Sequence, residues 1–397
     1  MTIKITARWL AALLLAVPVV TVQADELSDL KAMLQQALER IEQLENQQQE
    51  MSAAQETIVE QVENSAASQL AQWAEKTSVG GYGEVHWNNT NLNDEIDLHR
   101  FVLFFGHQFT DDLRFFSEFE IEHSLAGEGK NGEVEVEQAY IEYDINDQHR
   151  VAGGVFLLPV GILNETHEPN TFYGVERNNV EKNIIPTTWW EAGVMFSGDL
   201  GSGFGYDLAV HSGLEASKGG VFTFKPRDGR RKVSEAPAKD GAVTARLKYT
   251  GVPGLELAAT VQHQGDMTQS DSFTDGAEGL LTETHLVYNR GPFGLRALYA
   301  MWDIDGAEAK ALGRDEQEGW YIEPSYRINS SWGLFARRSS WDNEAGAGGD
   351  SEFKQTDIGV NYWPHQRVVI KFDWMNMDAP TGQADEDGFN LGVGYQF

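Results

Sequence analysis

No cysteine occurs among the 397 residues. That excludes disulfide staples, thiol nucleophiles and thiolate metal sites. Long hydrophobic runs are missing too. The longest, Trp9 to Val20, falls short of the ~20 apolar residues that a membrane-crossing helix needs. Basic residues are scarce, with 30 Lys and Arg against 61 Asp and Glu and a formal charge of −31. A chain so acidic repels a phosphate backbone, so nucleic acid is not an expected partner. Residues 25–77 hold neither glycine nor proline, although the whole chain has 40 glycines.

The amino-terminal end carries Lys4 and Arg8, the short apolar run, and then Val22-Gln23-Ala24. A charged start, a greasy centre and small residues before Asp25 read as a signal peptide over residues 1–24. An exported chain without hydrophobic helices enters a membrane only as a closed β-barrel, because lipid leaves no backbone group unpaired. A secreted or periplasmic protein is the alternative at this point.

Residues 25–77 have a heptad pattern. With Leu27 at position a, that series runs Leu27, Leu34, Ile41, Gln48, Gln55, Val62. The d series runs Leu30, Ala37, Leu44, Met51, Ile58, Ser65. Apolar spacing of this kind predicts an α-helical coiled coil, hence oligomerisation. A trimer is the natural expectation, although these core residues do not separate two strands from three. Preceding the first strand, the segment is expected in the periplasm. A solvated amphipathic linker helix is the plainer alternative.

From Ser78 onward, short alternating segments are divided in turn by tight polar turns and by longer loops. Thr110-Asp111-Asp112, Gly198-Asp199-Leu200-Gly201 and Pro364-His365-Gln366 are three of seven such turns, rich in residues that turn dihedrals favour. Seven turns join fourteen strands. One more strand opens the series near Val79–Trp87, and another ends at Phe397. The fold class is therefore all-β, a 16-stranded antiparallel transmembrane β-barrel over residues 78–397 preceded by the helical segment. Trp87, Trp302 and Trp341 lie near strand ends and are read as interfacial girdle residues, with an aromatic sugar slide as the alternative.

Alternation also sorts the side chains by face. Val368, Ile370, Phe372 and Trp374 point one way, and Lys371 and Asp373 the other. Basic residues at mid-membrane cost ~2–4 kcal/mol each on the lipid side, so the charged face must line water. The predicted basic lining is Arg100, Arg114, Arg246, Lys248, Arg296, Arg327, Arg337 and Lys371. The predicted acidic lining includes Glu84, Glu118, Glu120, Glu122, Glu142, Asp207, Glu256, Glu323, Asp357 and Asp373. Both signs occur, and pairing between strands is the alternative role for any one of them.

The segment 163–188 is the third long loop, with Glu165, Glu168, Glu176, Arg177, Glu181 and Lys182 among several aromatics. It is the expected constriction. Glu165, His167 and Glu168 stand close in sequence, but three potential ligands in one loop make a weak metal signal, and no metal or cofactor is expected. Lys225, Arg227, Arg230, Arg231 and Lys232 in the next long loop are placed to gather anions or to meet lipopolysaccharide phosphates.

The closing stretch Gly388–Phe397 alternates greasy and small polar residues and ends on an aromatic. It resembles the closing strand of bacterial outer-membrane proteins. Val136-Glu-Gln-Ala-Tyr-Ile-Glu-Tyr143 and Val151-Ala-Gly-Gly-Val-Phe-Leu-Leu-Pro-Val-Gly161 are similar to the phosphate-selective porin O/P family. The resemblance implies a trimeric channel in the outer membrane of a Gram-negative cell, with lipid and lipopolysaccharide around it. In the best-known members it also implies a basic ladder that draws phosphate. Here acidic residues dominate, and Glu118, Glu120 and Glu122 would oppose phosphate. The expected function is passive diffusion of ions and small hydrophilic solutes through a barrel narrowed by its third loop. An anion- or oligosaccharide-selective channel and a structural envelope tether are the alternatives. No enzyme is expected, since the ten histidines form no local motif with serine.

Overall fold

The computed structural model describes residues 24–63, 73–216, 223–269 and 276–397. The leader expected over 1–24 lies outside them, apart from Ala24. The chain divides into two units at Ala74/Glu75. In the first, helix α1 spans Ala24–Glu63, as its freedom from glycine and proline allows. Leu34, Ile41, Leu44 and Met51 of the heptad series are exposed on it. The segment is a helix; a coiled coil is not part of this finding.

The second unit is a closed antiparallel barrel of sixteen strands. The first eight are β1 (Thr77–Thr90), β2 (Asp94–Gln108), β3 (Leu113–Glu122), β4 (Val134–Asn146), β5 (His149–Leu157), β6 (Trp190–Gly201), β7 (Phe204–His211) and β8 (Ala242–Tyr249). The rest are β9 (Leu255–Gln264), β10 (Glu278–Arg290), β11 (Phe293–Asp305), β12 (Glu316–Arg327), β13 (Trp332–Asp342), β14 (Phe353–His365), β15 (Val368–Asp378) and β16 (Glu386–Gln396). Each strand pairs with its sequence neighbours, and β16 closes on β1 through Tyr82↔Gln396 to Thr90↔Gly388. Closure leaves no unpaired edge.

One turn differs from its sequence reading. Strand β6 runs on to Gly201, and the chain reverses at Ser202-Gly203, with Gly201 opposite Phe204. Both turn residues have positive φ, 55° and 84°. That is the conformation a two-residue hairpin of the favoured twist demands. Asp199 instead joins the ladder opposite Gly205.

The barrel is inside-out. Val194, Phe196, Leu247, Val261, Ile358 and Trp374 are exposed on its outer face, whereas Arg100, Glu118, Asp357 and Lys371 are buried within. Apolar surface outside suits lipid, and charge inside suits water or an internal partner. Two β-bulges, away from the tight turns, break the period of two beneath the long loops. His99 is the extra residue between Leu98, opposite Val85, and Arg100, opposite Glu84. Glu137 is the extra residue between Val136, opposite Phe119, and Gln138, opposite Glu118. A bulge turns two successive side chains toward one face. His99 and Arg100 thus both reach the lumen, as do Glu137 and Gln138.

Candidate functional site

The core of this molecule lies inside the barrel. Loop 3, residues 158–189, carries Leu158, Val160, Ile162, Ile184, Ile185 and Trp189, all buried in one cluster with Leu298, Trp302, Tyr321 and Trp341 of the wall. A loop so apolar gains by leaving water, and strands β11–β13 present an inner face that receives it. Trp302 and Trp341 therefore face inward, 0% and 5% exposed, rather than outward as girdle residues. Trp87 does lie outside, edge-on to Phe389. The small inner face of β16 has a packing reason as well. A side chain at Gly392 would meet Val175 at 3.0 Å, and one at Gly394 would run into Pro169.

Polar contacts fasten the loop around the whole wall. Arg100 donates to the His167 carbonyl at 3.0 Å, and Arg296 to the Thr171 carbonyl at 2.6 Å. Asp373 accepts the Val175 amide at 2.6 Å and Asn390 at 2.9 Å. Glu176 accepts His86 at 2.9 Å and Asn88 at 3.0 Å. Glu181 is fully buried, accepting the amides of Ile162 and Leu163 and the Tyr321 hydroxyl. Its carboxylate ties the loop to itself and to β12. Glu168 contributes its carbonyl, which accepts from Thr171.

Most wall charges are paired. Arg100 meets Glu84 at 2.6 Å, and Arg114 meets Asp144 at 2.6 Å together with Glu142. Arg246 bonds Asp207 at 2.7 Å and also loop residue Glu165. Arg337 joins Asp357 at 3.0 Å and Glu323 at 3.2 Å. Glu256 lies 3.4 Å from His285. Lys371 stands 3.6 Å above the Phe172 ring, and Arg327 stacks 3.7 Å over Trp363. Glu118 and Glu120 lie covered beneath the loop.

Two cavities flank loop 3. Toward the short turns, a space of about 610 Å³ is lined by Glu165, Arg246, Lys248, Glu256 and Arg296 among others. Toward the long loops, one of about 300 Å³ is lined by Glu122, Glu176, Arg177, Lys182, Arg227 and Arg230. Arg227 and Arg230 come from loop 4, between β7 and β8, whose described residues 223–241 fold back over loop 3. Arg227 donates to the carbonyls of Lys182 and Thr187, Arg230 to that of Thr188, and Arg177 to the Thr188 hydroxyl. Among the described residues these three arginines form no ion pair. Glu84, Glu135 and Glu137 line the same cavity. Lys232 closes loop 4 onto Glu133 at 2.5 Å and onto Glu135.

His86, Asp97, His99, His123 and Glu137 also belong to this region, and strand alternation did not single them out. His99 stacks on His86 at 4.6 Å, and His123 bonds Asp97 at 2.7 Å. The His99 and Glu137 bulges hid two of these residues from a period-two reading. His167 is buried against Glu118 and Glu137.

The sequence model of the family described as "Phosphate-selective porin O and P" matches residues 77–397. A protein of Aquifex aeolicus (strain VF5), described as uncharacterized, is 30% identical over 363 residues, covering 84% of this chain and 82% of its own. The outer membrane channel DcaP of Acinetobacter baumannii superposes with a TM-score of 0.56 at 13% identity, over 81% of this chain and 97% of its own. The anion-selective porin of Comamonas acidovorans gives 0.58 at 11% identity, over 81% and 99%. The in-vitro folded trimer form of OmpT from Vibrio cholerae gives 0.57 at 11%, over 81% and 99%. At such identities the solved structures speak for the fold alone.

Proposed function

We propose, for a chain that belongs to the phosphate-selective porin O and P family, that its passive outer-membrane channel draws anions in at the long-loop end. The observation that carries this is the meeting of Arg177, Arg227 and Arg230 at one cavity, bonded to carbonyls and a hydroxyl. A guanidinium satisfied by neutral acceptors keeps its full field for a passing ion. Lys182 adds to that field, and Lys248 and Arg296 line the cavity on the other side of loop 3 together with Glu165 and Glu256.

The test is the reversal potential of the purified protein in a planar bilayer under a KCl gradient. Anion preference is expected. Substituting Arg177, Arg227 and Arg230 together by Gln should abolish it, and inorganic phosphate should block chloride current in the parent only. Cation preference in the parent channel overturns the reading.

The exposed heptad residues of α1 support a coiled coil, which we read as the means of joining three copies from the periplasmic side. Lipid meets the outer aromatic face. Lipopolysaccharide phosphates are assigned to the outer rim of loop 4 near Lys225.

A further inference from the structure

His167 does not use its sequence neighbours as partners. Glu165 turns away to Arg246, and the His167 imidazole faces Glu118 of β3 and the bulged Glu137 of β4. All three side chains are at least nine-tenths buried. The ring is oriented from behind, with Nδ1 3.0 Å from the Asn164 carbonyl, so Nδ1–H donates there and Nε2 points at the carboxylates. A backbone carbonyl behind the ring is the usual support for a metal-bound histidine. Gln138 donates to Glu118 Oε2 at 2.6 Å, and Oε1, which accepts the Tyr82 hydroxyl at a long 3.5 Å, also faces His167.

Neither His167 Nε2 nor Glu137 Oε2 has a hydrogen-bond partner, and Glu120 Oε2 beside them has none either. Nε2 lies 3.5 Å from Glu118 Oε1 and 3.5 Å from Glu137 Oε2. A shared proton would draw one oxygen in to ~2.7–3.2 Å. Two equal, longer separations match the edges of a tetrahedron around an ion, which are about 3.4 Å for ligand bonds of ~2.0–2.1 Å. Three buried carboxylates gather here, while Arg100 is already committed to Glu84.

We propose that Glu118, Glu137 and His167 bind a divalent transition-metal ion that fastens loop 3 to the barrel wall. One imidazole and two carboxylates form a donor set of borderline hardness, suited to zinc and its neighbours. Glu137 also lines the cavity at the long-loop end, which supplies the entry path. The ion links an element far along the chain to β3 and β4, so it acts on the position of the constriction.

The probe is zinc, added to the full-length protein in detergent after removal of metal with EDTA. One zinc per chain should remain after gel filtration, and zinc should raise the thermal unfolding midpoint. Glu137→Gln and His167→Gln should each lose that zinc and the shift in midpoint, while heat-modifiable migration on gels reports an intact barrel. A double variant, His99→Gln with His123→Gln, should retain zinc, since Asp97, His99 and His123 form a separate cluster nearby. Cobalt should give the intense visible absorption of a tetrahedral site in the parent only. A parent that keeps no zinc overturns the proposal, as does zinc lost from the His99/His123 variant but kept without His167.

Discussion

The indole of Trp302, on β11, donates to the carbonyl of Ile184, in loop 3, over 2.9 Å. Both residues are wholly buried, in the interior of a barrel whose outside is meant for lipid. Trp302 thus holds the constriction loop against the wall by packing and by one directed bond. Trp302→Ala should cost about 3–5 kcal/mol, the usual range for a large aromatic removed from a core. Unfolding in urea checks the stability, and a larger, noisier single-channel conductance should accompany the loss.

Arg337 sits between Asp357 and Glu323, with all three buried beneath the loop. Arg337→Met leaves two carboxylates without their cation and should destabilise by about 3–5 kcal/mol. Adding Asp357→Asn and Glu323→Gln to the same chain should recover much of that. Comparing urea midpoints of the single and triple variants measures the coupling; equal midpoints would mean the cluster is not a unit.

The loop between β3 and β4, residues 123–133, and loop 4 are latched by Lys232 on Glu133. Bonding to Glu135 and then to Lys232 lowers the Glu133 carboxyl to about 2. A carboxyl held below its unfolded value contributes fully above the ordinary range near pH 4.3, and its contribution is lost as pH falls through the folded value. The latch should therefore persist at pH 3 and open toward pH 2. Because the chain has no cysteine, a spin label on Ser234→Cys reports on loop 4 alone. It should stay immobilised down to pH 3 in the parent and be mobile throughout in Glu133→Gln with Glu135→Gln, since Lys232 bonds both.

For α1, a single cysteine replacing Leu44, a core position of the heptad, should oxidise readily to an inter-chain disulfide. One replacing Glu39, on the opposite face, should not. Equal yields on non-reducing gels would favour the solvated linker over the coiled coil.

Much of the barrel was legible in the residues alone. Strand alternation such as Val368 to Trp374 placed Lys371 and Asp373 on the inner face, and they are buried there. The closing strand, with Asn390 and its glycines on one side, needed only the period of two. The bulges at His99 and Glu137 were not legible, because an inserted residue looks like any other until its partner strand is known. Trp302 and Trp341 were misread for a related reason. A tryptophan near a strand end faces lipid or lumen by register, and only the packing of loop 3 shows which face demanded it.

By itself, then, the amino-acid order determined the sixteen strands and their polarity, since these follow from local periodicity and turn chemistry. Only the tertiary structure decided which charges pair, which arginines gather around the cavity, and how His167 comes to face Glu118 and Glu137. Those relations join residues tens to hundreds of positions apart through barrel closure and an infolded loop. No local pattern encodes such distances.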